Sequence, residues 1–270
     1  VFTYGGVQTS ISNPLRSSQS SSPYYNKSTD AYCYIGTEKP NHDVVIVGWD
    51  DSYSKDNFNT DLEGDGAFIC QNSWGDNFGE NGFFYISYYD TNIGTHNVVY
   101  TDIENTDNYD HIYQSDLCGW VGQLGYNKDS IYGANVFTAE GNETLKAASF
   151  YATGKDSQYQ LYVVRQFEDE PSLEKMIPVA SGKLGNAGYY TVDFNQGIEV
   201  DAGERYAVVL YIITPGSVHP MAIEYAADEA TENVDLDDGE SYISANGSKW
   251  VSVDTVEKSN LCIKAFSDNR

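Results

Sequence analysis

Short apolar runs, each closed off by Gly, Asn or Asp, recur along the whole chain: HDVVIVGW, GAFICQ, GFFYISYY, YQLYVV, YYTVDF, RYAVVLYII and LCIKAF. Runs of this length, rich in Val, Ile, Tyr and Phe, suit a pleated, half-buried surface and leave no room for a long helix. Few windows carry an apolar period of 3.6; LKAASFY is ambiguous and lies among strands. The expected fold is therefore mainly β. Residues 50–66 (DDSYSKDNFNTDLEGDG) are polar between two apolar runs and read as a long hairpin or inserted loop.

The pattern changes once. DIENTDNYDHIYQSD, residues 102–116, has no apolar periodicity and is the best linker candidate. After it, strands recur at the spacing of a sandwich. The expected organisation is one domain over 1–111 and a second over 112–270. At 270 residues the chain is long enough for both, and 40% hydrophobic content with 23 Tyr supports packed cores.

Charge narrows the partners. Forty acids against 15 bases give −25, divided as −12 over 1–110 (16 acids, 4 bases) and −13 over 111–270 (24 acids, 11 bases). An acidic surface on both halves repels phosphate backbones, so no nucleic-acid partner is expected. No apolar run is long enough to span a bilayer. The opening VFTYGGVQTS has no basic n-region or cleavage site, and no targeting signal is expected in it. The four Cys, at 33, 70, 118 and 262, form no CxxC pair, which argues against zinc and against a dense disulfide scaffold. Cys70 and Cys262 lie in apolar, strand-like surroundings, where buried free thiols are the default.

Three local motifs carry chemistry. Asn41-His42-Asp43 opens an apolar strand that reaches Gly48-Trp49; Gln71-Asn72-Ser73-Trp74-Gly75 closes another; Gly79-Glu80-Asn81-Gly82 turns into Phe83-Phe84. A thiol peptidase needs an imidazole that holds its nucleophile as thiolate and later protonates the leaving amine. It needs a third group to orient that ring, and a neutral amide suffices because the thiolate–imidazolium pair already carries the charge. An aromatic ring over the imidazole–amide bond keeps water away and strengthens it. His42, Asn72 and Trp74 supply these three parts. A single strand-initial His, or a single Asn-Ser-Trp-Gly turn, is usually structural; the three motifs in this order are specific.

NHDVVIVGWDD, QNSWG and GENGFFYIS, in that order, closely resemble the papain family of cysteine peptidases, and Gly5-Gly6-Val7 is similar to the turn before that family's first barrel strand. The resemblance covers residues 1 to about 100. It implies an antiparallel β-barrel lobe, with His42 as general base and acid, Asn72 as the orienting residue and Trp74 as the shield. It also implies that the nucleophilic Cys and the oxyanion-hole Gln lie on a separate, helical N-terminal lobe. In this family the Cys precedes the His by roughly 130–150 residues, so the nucleophile is expected outside this sequence. Neither Cys33 nor Cys118 has the family's Cys-Gly-Ser-Cys-Trp surroundings. By position, Asp43 and Ser10 fall in the pocket for the second substrate residue before the scissile bond. Most relatives carry a small apolar group after the His, so Asp43 either selects basic side chains or faces solvent.

Residues 117–267 resemble the lectin-like domain that follows papain-like peptidases in secreted and surface proteins of Gram-positive anaerobes. Tyr132-Gly133-Ala134-Asn135-Val136-Phe137, Ser149-Phe150-Tyr151, Ala187-Gly188-Tyr189-Tyr190, Trp250 and Ile263-Lys264-Ala265-Phe266 carry the likeness. It implies a β-sandwich, an extracellular, secreted or cell-surface location, and a cell-wall glycan as a candidate partner. A sandwich that only buttresses the peptidase is the competing expectation.

No organic cofactor is expected. Asp61-Leu62-Glu63-Gly64-Asp65-Gly66 starts like a calcium loop, but its twelfth position is Asn72 and not Glu. Asp235, Asp237, Asp238 and Glu240 could ligate calcium, against the default of a solvated acidic loop. The leading expectation is a cysteine-type endopeptidase, acting on protein or peptide, of which this chain supplies His and Asn but not Cys. Its alternatives are a non-catalytic carbohydrate- or surface-binding module with a relic peptidase lobe, and a structural surface protein.

Overall fold

The computed structural model describes residues 1–17, 20–253 and 258–270. The chain forms two compact units, Val1–Glu104 and Asn105–Arg270. Its described helical elements are two short 3-10 turns, Lys55–Asn57 and Glu170–Glu174, in an otherwise β chain.

The first unit holds β1 (Val7–Ile11), β2 (Tyr25–Asn26), β3 (Ala31–Tyr32), β4 (His42–Asp50), β5 (Ala67–Gln71) and β6 (Phe83–Ser87). They form one sheet in the order β1-β4-β5-β6-β3-β2. Strand alternation explains its core: Val44 and Ile46 of β4 are buried, whereas Val47 and Trp49 face outward. Ile11, Tyr32, Cys70, Phe84 and Ile86 complete the buried face. The polar stretch 51–66 is the β4–β5 hairpin loop, and it is not bare. Phe58 and Leu62 turn back to pack with Ala31, Cys33 and Ala67, and Tyr53 stacks on Tyr85 at 4.1 Å.

The mainly β fold is as expected, while closure into a barrel is not seen among the described strands. The sheet is open, and β3 runs parallel to β6. β2 and β3 have two residues each, too short to reach round to β1. The outer edge of β1 is instead taken by Val98, which exchanges two 2.9 Å backbone hydrogen bonds with Gln8.

The second unit contains β7 (His111–Tyr113), β8 (Gly122–Leu124), β9 (Ser130–Thr138), β10 (Glu143–Ala152), β11 (Ser157–Val164), β12 (Ile177–Leu184), β13 (Gly188–Val200), β14 (Arg205–Ile213), β15 (Met221–Glu224), β16 (Ser241–Ser244), β17 (Trp250–Ser252), β18 (Asn260–Leu261) and β19 (Ile263–Asn269). A four-stranded sheet, β13-β10-β19-β7, faces a six-stranded one, β12-β11-β14-β9-β16-β17. Leu145, Phe150, Val200 and Ile263 from the first meet Leu161, Val208, Leu210 and Ile212 from the second in one core, as in a sandwich. A three-stranded sheet, β18-β15-β8, completes the unit.

The apolar run of β14 has a cause. Its even-numbered residues fill the sandwich core, while Ala207 and Val209 are covered on the outer face by Phe167, Leu173 and Trp250. A strand buried on both faces loses its polar alternation. Residues 105–110 pack with this unit: Tyr109 lies 4.9 Å from Phe266, and the Asp110 N–H donates to the Ser267 carbonyl at 3.0 Å.

Candidate active site

Strand register sets the site. β1 pairs with β4 so that Ile11 stands opposite His42 and Ser10 opposite Asp43. Neighbours along a strand point to opposite faces. His42 therefore shares the buried face with Ile11 and Val44, and Asp43 shares the other with Ser10 and Gln8.

Asn72 follows the last residue of β5. Its N–H donates to the Gly82 carbonyl at 2.9 Å, so the Gly79–Gly82 turn holds its backbone. Gly79 has φ +58°, and a Cβ there would lie 2.0 Å from the Phe83 carbonyl oxygen. No other residue fits that turn without moving β6. The Asn72 side chain is buried, and its Oδ1 accepts from the Ser73 N–H at 2.8 Å and lies 3.0 Å from His42 Nε2.

This geometry fixes the tautomer. The Ser73 N–H identifies the shared amide atom as oxygen, and an amide oxygen can only accept. His42 Nε2 must carry a proton, which leaves Nδ1 of the neutral ring as its basic nitrogen. Asn72 Nδ2 is buried and has no hydrogen-bond partner. An unmade bond of this kind costs about 1–3 kcal/mol, so the amide is held for its oxygen.

Trp74 lies beside this pair, its ring centroid 5.1 Å from that of His42 with planes tilted by 36°. Phe78 meets it edge-on at 5.1 Å and in turn stacks on Tyr25 at 5.4 Å. The indole is thus braced from the core and leans on the imidazole.

On the other face, Ser10 Oγ donates to Asp43 Oδ1 at 2.7 Å and Gln8 Nε2 to Oδ2 at 3.2 Å. The Tyr100 hydroxyl donates to Gln8 Oε1 at 3.0 Å. No Lys, Arg or His pairs with Asp43 among the described residues. A cleft of about 460 Å³ runs along Gln8, Asp43, Val44, Val45, Gln71, Asn72 and Ser73, so the carboxylate and the His42-bound amide border one space. Gln8 and Tyr100 were not among the residues expected from sequence. Alternation along β1 places Gln8 on the face of Ser10, but Tyr100 lies 92 residues from Gln8 and carries no local signal.

The four thiols share one direction of shift. Burial, aided by Asp90, pushes the Cys33 thiol up to about 12 and the Cys70 thiol higher still. Burial, aided by Asp116 and Glu224, raises the Cys262 thiol as well. Cys118 is exposed, yet desolvation and the Glu224 carboxylate raise it too. None of the four has the lowered pKa of a thiolate nucleophile.

Of the acidic residues considered for calcium, Asp235 and Asp238 meet at Asn260, Asp235 through its backbone carbonyl and Asp238 through its carboxylate. Glu240 accepts from Arg205 and from the Tyr242 hydroxyl, while Asp238 turns to Asn260. Among the described residues no group of three or more His, Cys, Asp or Glu side chains is disposed to hold a metal ion.

Residues 6–103 match the sequence profile of the papain family of cysteine proteases, and residues 112–267, more than half of the chain, match that of the lectin-like domain. The chain belongs to the lectin-like domain family, and a papain-family segment precedes that domain. Two solved structures agree. The clostridial cysteine protease Cwp84 after propeptide cleavage is 29% identical, with TM-score 0.84 over 100% of this chain and 66% of that one. The cysteine protease and lectin-like domains of Cwp84, a surface layer associated protein of Clostridium difficile, give 27% and 0.80 over 100% and 60%. The chain thus spans less than two thirds of the Cwp84 chains it matches. No curated protein matches the sequence. Among its described residues no helix is long and apolar enough to cross a membrane.

Proposed function

We infer that this chain supplies the imidazole and orienting amide of a cysteine-type endopeptidase, and that an N-terminal papain lobe supplies the nucleophilic thiol and the oxyanion donors. The carrying observation is the 3.0 Å contact between His42 Nε2 and Asn72 Oδ1 under the Trp74 ring. With Nε2 committed to Asn72, Nδ1 takes the proton of the incoming thiol and leaves a thiolate–imidazolium pair. The thiolate attacks the peptide carbonyl carbon, and His42 returns the proton to the departing amine. In the second half-reaction His42 takes a proton from water, which cleaves the thioester and regenerates the thiol.

The substrate is a protein or peptide, and Asp43 with Ser10 lies in the pocket for its second residue before the scissile bond. Likeness to a surface layer associated protein supports a place at the cell surface of a Gram-positive bacterium. The lectin-like domain offers a second reading, carbohydrate binding. Trp120, Tyr151 and Tyr189 form a chain of rings with centroids 5.7 and 5.0 Å apart, and its two ends are partly exposed. Rigid aromatic faces at a surface suit the apolar face of a sugar ring.

The test is co-production with a papain-type lobe carrying the Cys. Thiol-dependent peptide cleavage by the assembled protein, absent from this chain alone and lost with His42→Ala, is the expected result. Turnover by the 270-residue chain alone, abolished by His42→Ala, would overturn the division of labour.

A further inference from the structure

His111 stands among carboxylates at the start of the lectin-like domain. The Asn269 amide faces two ways: its Nδ2 donates to Asp110 Oδ2 at 3.0 Å, and its Oδ1 lies 2.9 Å from His111 Nε2. A carboxylate only accepts, so the Asp110 contact identifies the atom at His111 as oxygen, and Nε2 must carry a proton. The other ring nitrogen, Nδ1, lies 3.5 Å from Glu140 Oε2. In a neutral imidazole it would turn a lone pair towards that carboxylate, whereas in the imidazolium it turns an N–H. Glu143 Oε1 lies 4.0 Å from Nε2.

Every element packed against the ring presents an acidic or neutral group. The entry to β7 supplies Asp110, β7 itself Tyr113, the turn before β10 Glu140, β10 Glu143, and β19 Asn269. The cations of β10 and of the chain end are engaged elsewhere, Lys146 by Asp268 and Arg270 by Glu199 and Asp201. Among the described residues neither Glu140 nor the fully buried Glu143 pairs with a Lys or Arg, so the imidazolium is their counter-charge. The hydrogen bond to Asn269 does most to raise the His111 pKa above its ordinary 6.5, and Glu143, Glu140 and Asp110 add to it against the cost of burial.

We propose that His111 is a pH-sensitive clasp: its imidazolium fastens β7, the strand on which the chain enters the lectin-like domain, to the turn before β10 and to the end of β19, and loss of that proton above neutral pH loosens the strand. β7 depends on such a contact. It has three residues, stands at the edge of its sheet and pairs on one side only, with β19. Its middle residue, Ile112, is exposed, so burial contributes little to holding it, and a short edge strand of this kind opens locally at small cost. The folded chain binds the His111 proton more tightly than the unfolded chain does. The contribution to stability is therefore complete below the unfolded value of 6.5 and is lost as pH rises through the higher folded value. Glu143 works in the opposite sense, its contribution being lost in acid, so the pair holds β7 most firmly in mildly acidic solution.

The experiment follows the His111 ring of the 270-residue chain by NMR from about pH 5.5 to about pH 9, with hydrogen exchange and thermal unfolding measured in parallel. His111 should titrate above 6.5. The Asp110 amide, which bonds the Ser267 carbonyl, should lose protection over the same interval. The melting temperature should fall by roughly 1–4 °C, the scale of a partly exposed ion pair in a domain of this size. Glu140 is 74% exposed, so Glu140→Gln keeps the fold, and it should lower the His111 midpoint. His111→Gln keeps a donor for Asn269 without the charge, and it should remove the pH dependence of Asp110 protection. The clasp is overturned by a His111 midpoint at or below 6.5, by a midpoint that Glu140→Gln leaves in place, or by Asp110 protection that follows one pH course in His111→Gln and the parent.

Discussion

Ser10 and Asp43 stand directly opposite each other across the β1–β4 pair, and the serine hydroxyl donates to the carboxylate at 2.7 Å. Gln8, two residues back on the same face, takes the second carboxylate oxygen. Asp43 is therefore aimed, and it is aimed along the cleft that Asn72 borders. The partners are neutral donors, so the negative charge remains available to a substrate cation.

In the assembled peptidase, Asp43 should favour Lys or Arg as the second substrate residue before the scissile bond. A charge-assisted bond in a half-open cleft contributes roughly 1–3 kcal/mol, about one to two decades in kcat/KM. Peptides differing only at that residue, assayed with Asp43→Ala, decide the point. An unaltered ratio of Arg to Leu cleavage would show that Asp43 does not read the substrate. Ser10→Ala should lower the same ratio by less, since Gln8 still holds one oxygen.

Asn72→Ala should lower kcat of the assembled enzyme by roughly 10- to 100-fold, a part of the about 10²–10⁴ that a positioned acid–base group provides. Ring orientation is lost while the thiol and the imidazole remain. Trp74→Ala should lower kcat as well, with a loss of stability from the emptied contacts to Phe78. Full activity in either variant would contradict the roles given to them.

Gly79→Ala tests the turn. The new Cβ meets the Phe83 carbonyl, and a positive φ adds about 1–2 kcal/mol for a non-glycine residue. Denaturant unfolding should show a loss above that figure, and kcat should fall because Gly82 no longer holds the Asn72 backbone. A variant of unchanged stability would show that β6 can yield.

Acid sensitivity of the lectin-like domain should trace in part to Glu143. Burial alone would raise this carboxyl, but Ser267 Oγ, the Tyr113 hydroxyl and the Gly141 N–H together hold it below its ordinary range. The unfolded chain therefore binds the proton first as pH falls. Stability from this group is full above the unfolded pKa near 4.5 and is lost as pH drops through the lower folded value. Unfolding midpoints measured from pH 7 to pH 3 should fall less steeply for Glu143→Gln than for the parent. Parallel curves would remove Glu143 from the account.

That His42, Asn72 and Trp74 meet was an expectation open to sequence reading because each sits in a motif whose pattern is local. An apolar strand with His at its start, an Asn-Ser-Trp-Gly stop and a glycine turn need only a few neighbours to be recognised, and alternation of side chains does the rest. The same locality made the sandwich readable as a succession of short strands. What no local pattern carries is pairing. Strand partners are chosen by burial over the whole domain, so the open sheet, the parallel β3–β6 pair and the donation from Tyr100 to Gln8 across 92 residues appear only in the folded chain. The sequence alone determined which residue types stand at strand ends and turns. Tertiary packing decided which of them face one another, because hydrogen bonds and charges act over a few ångströms of space and take no account of distance along the chain.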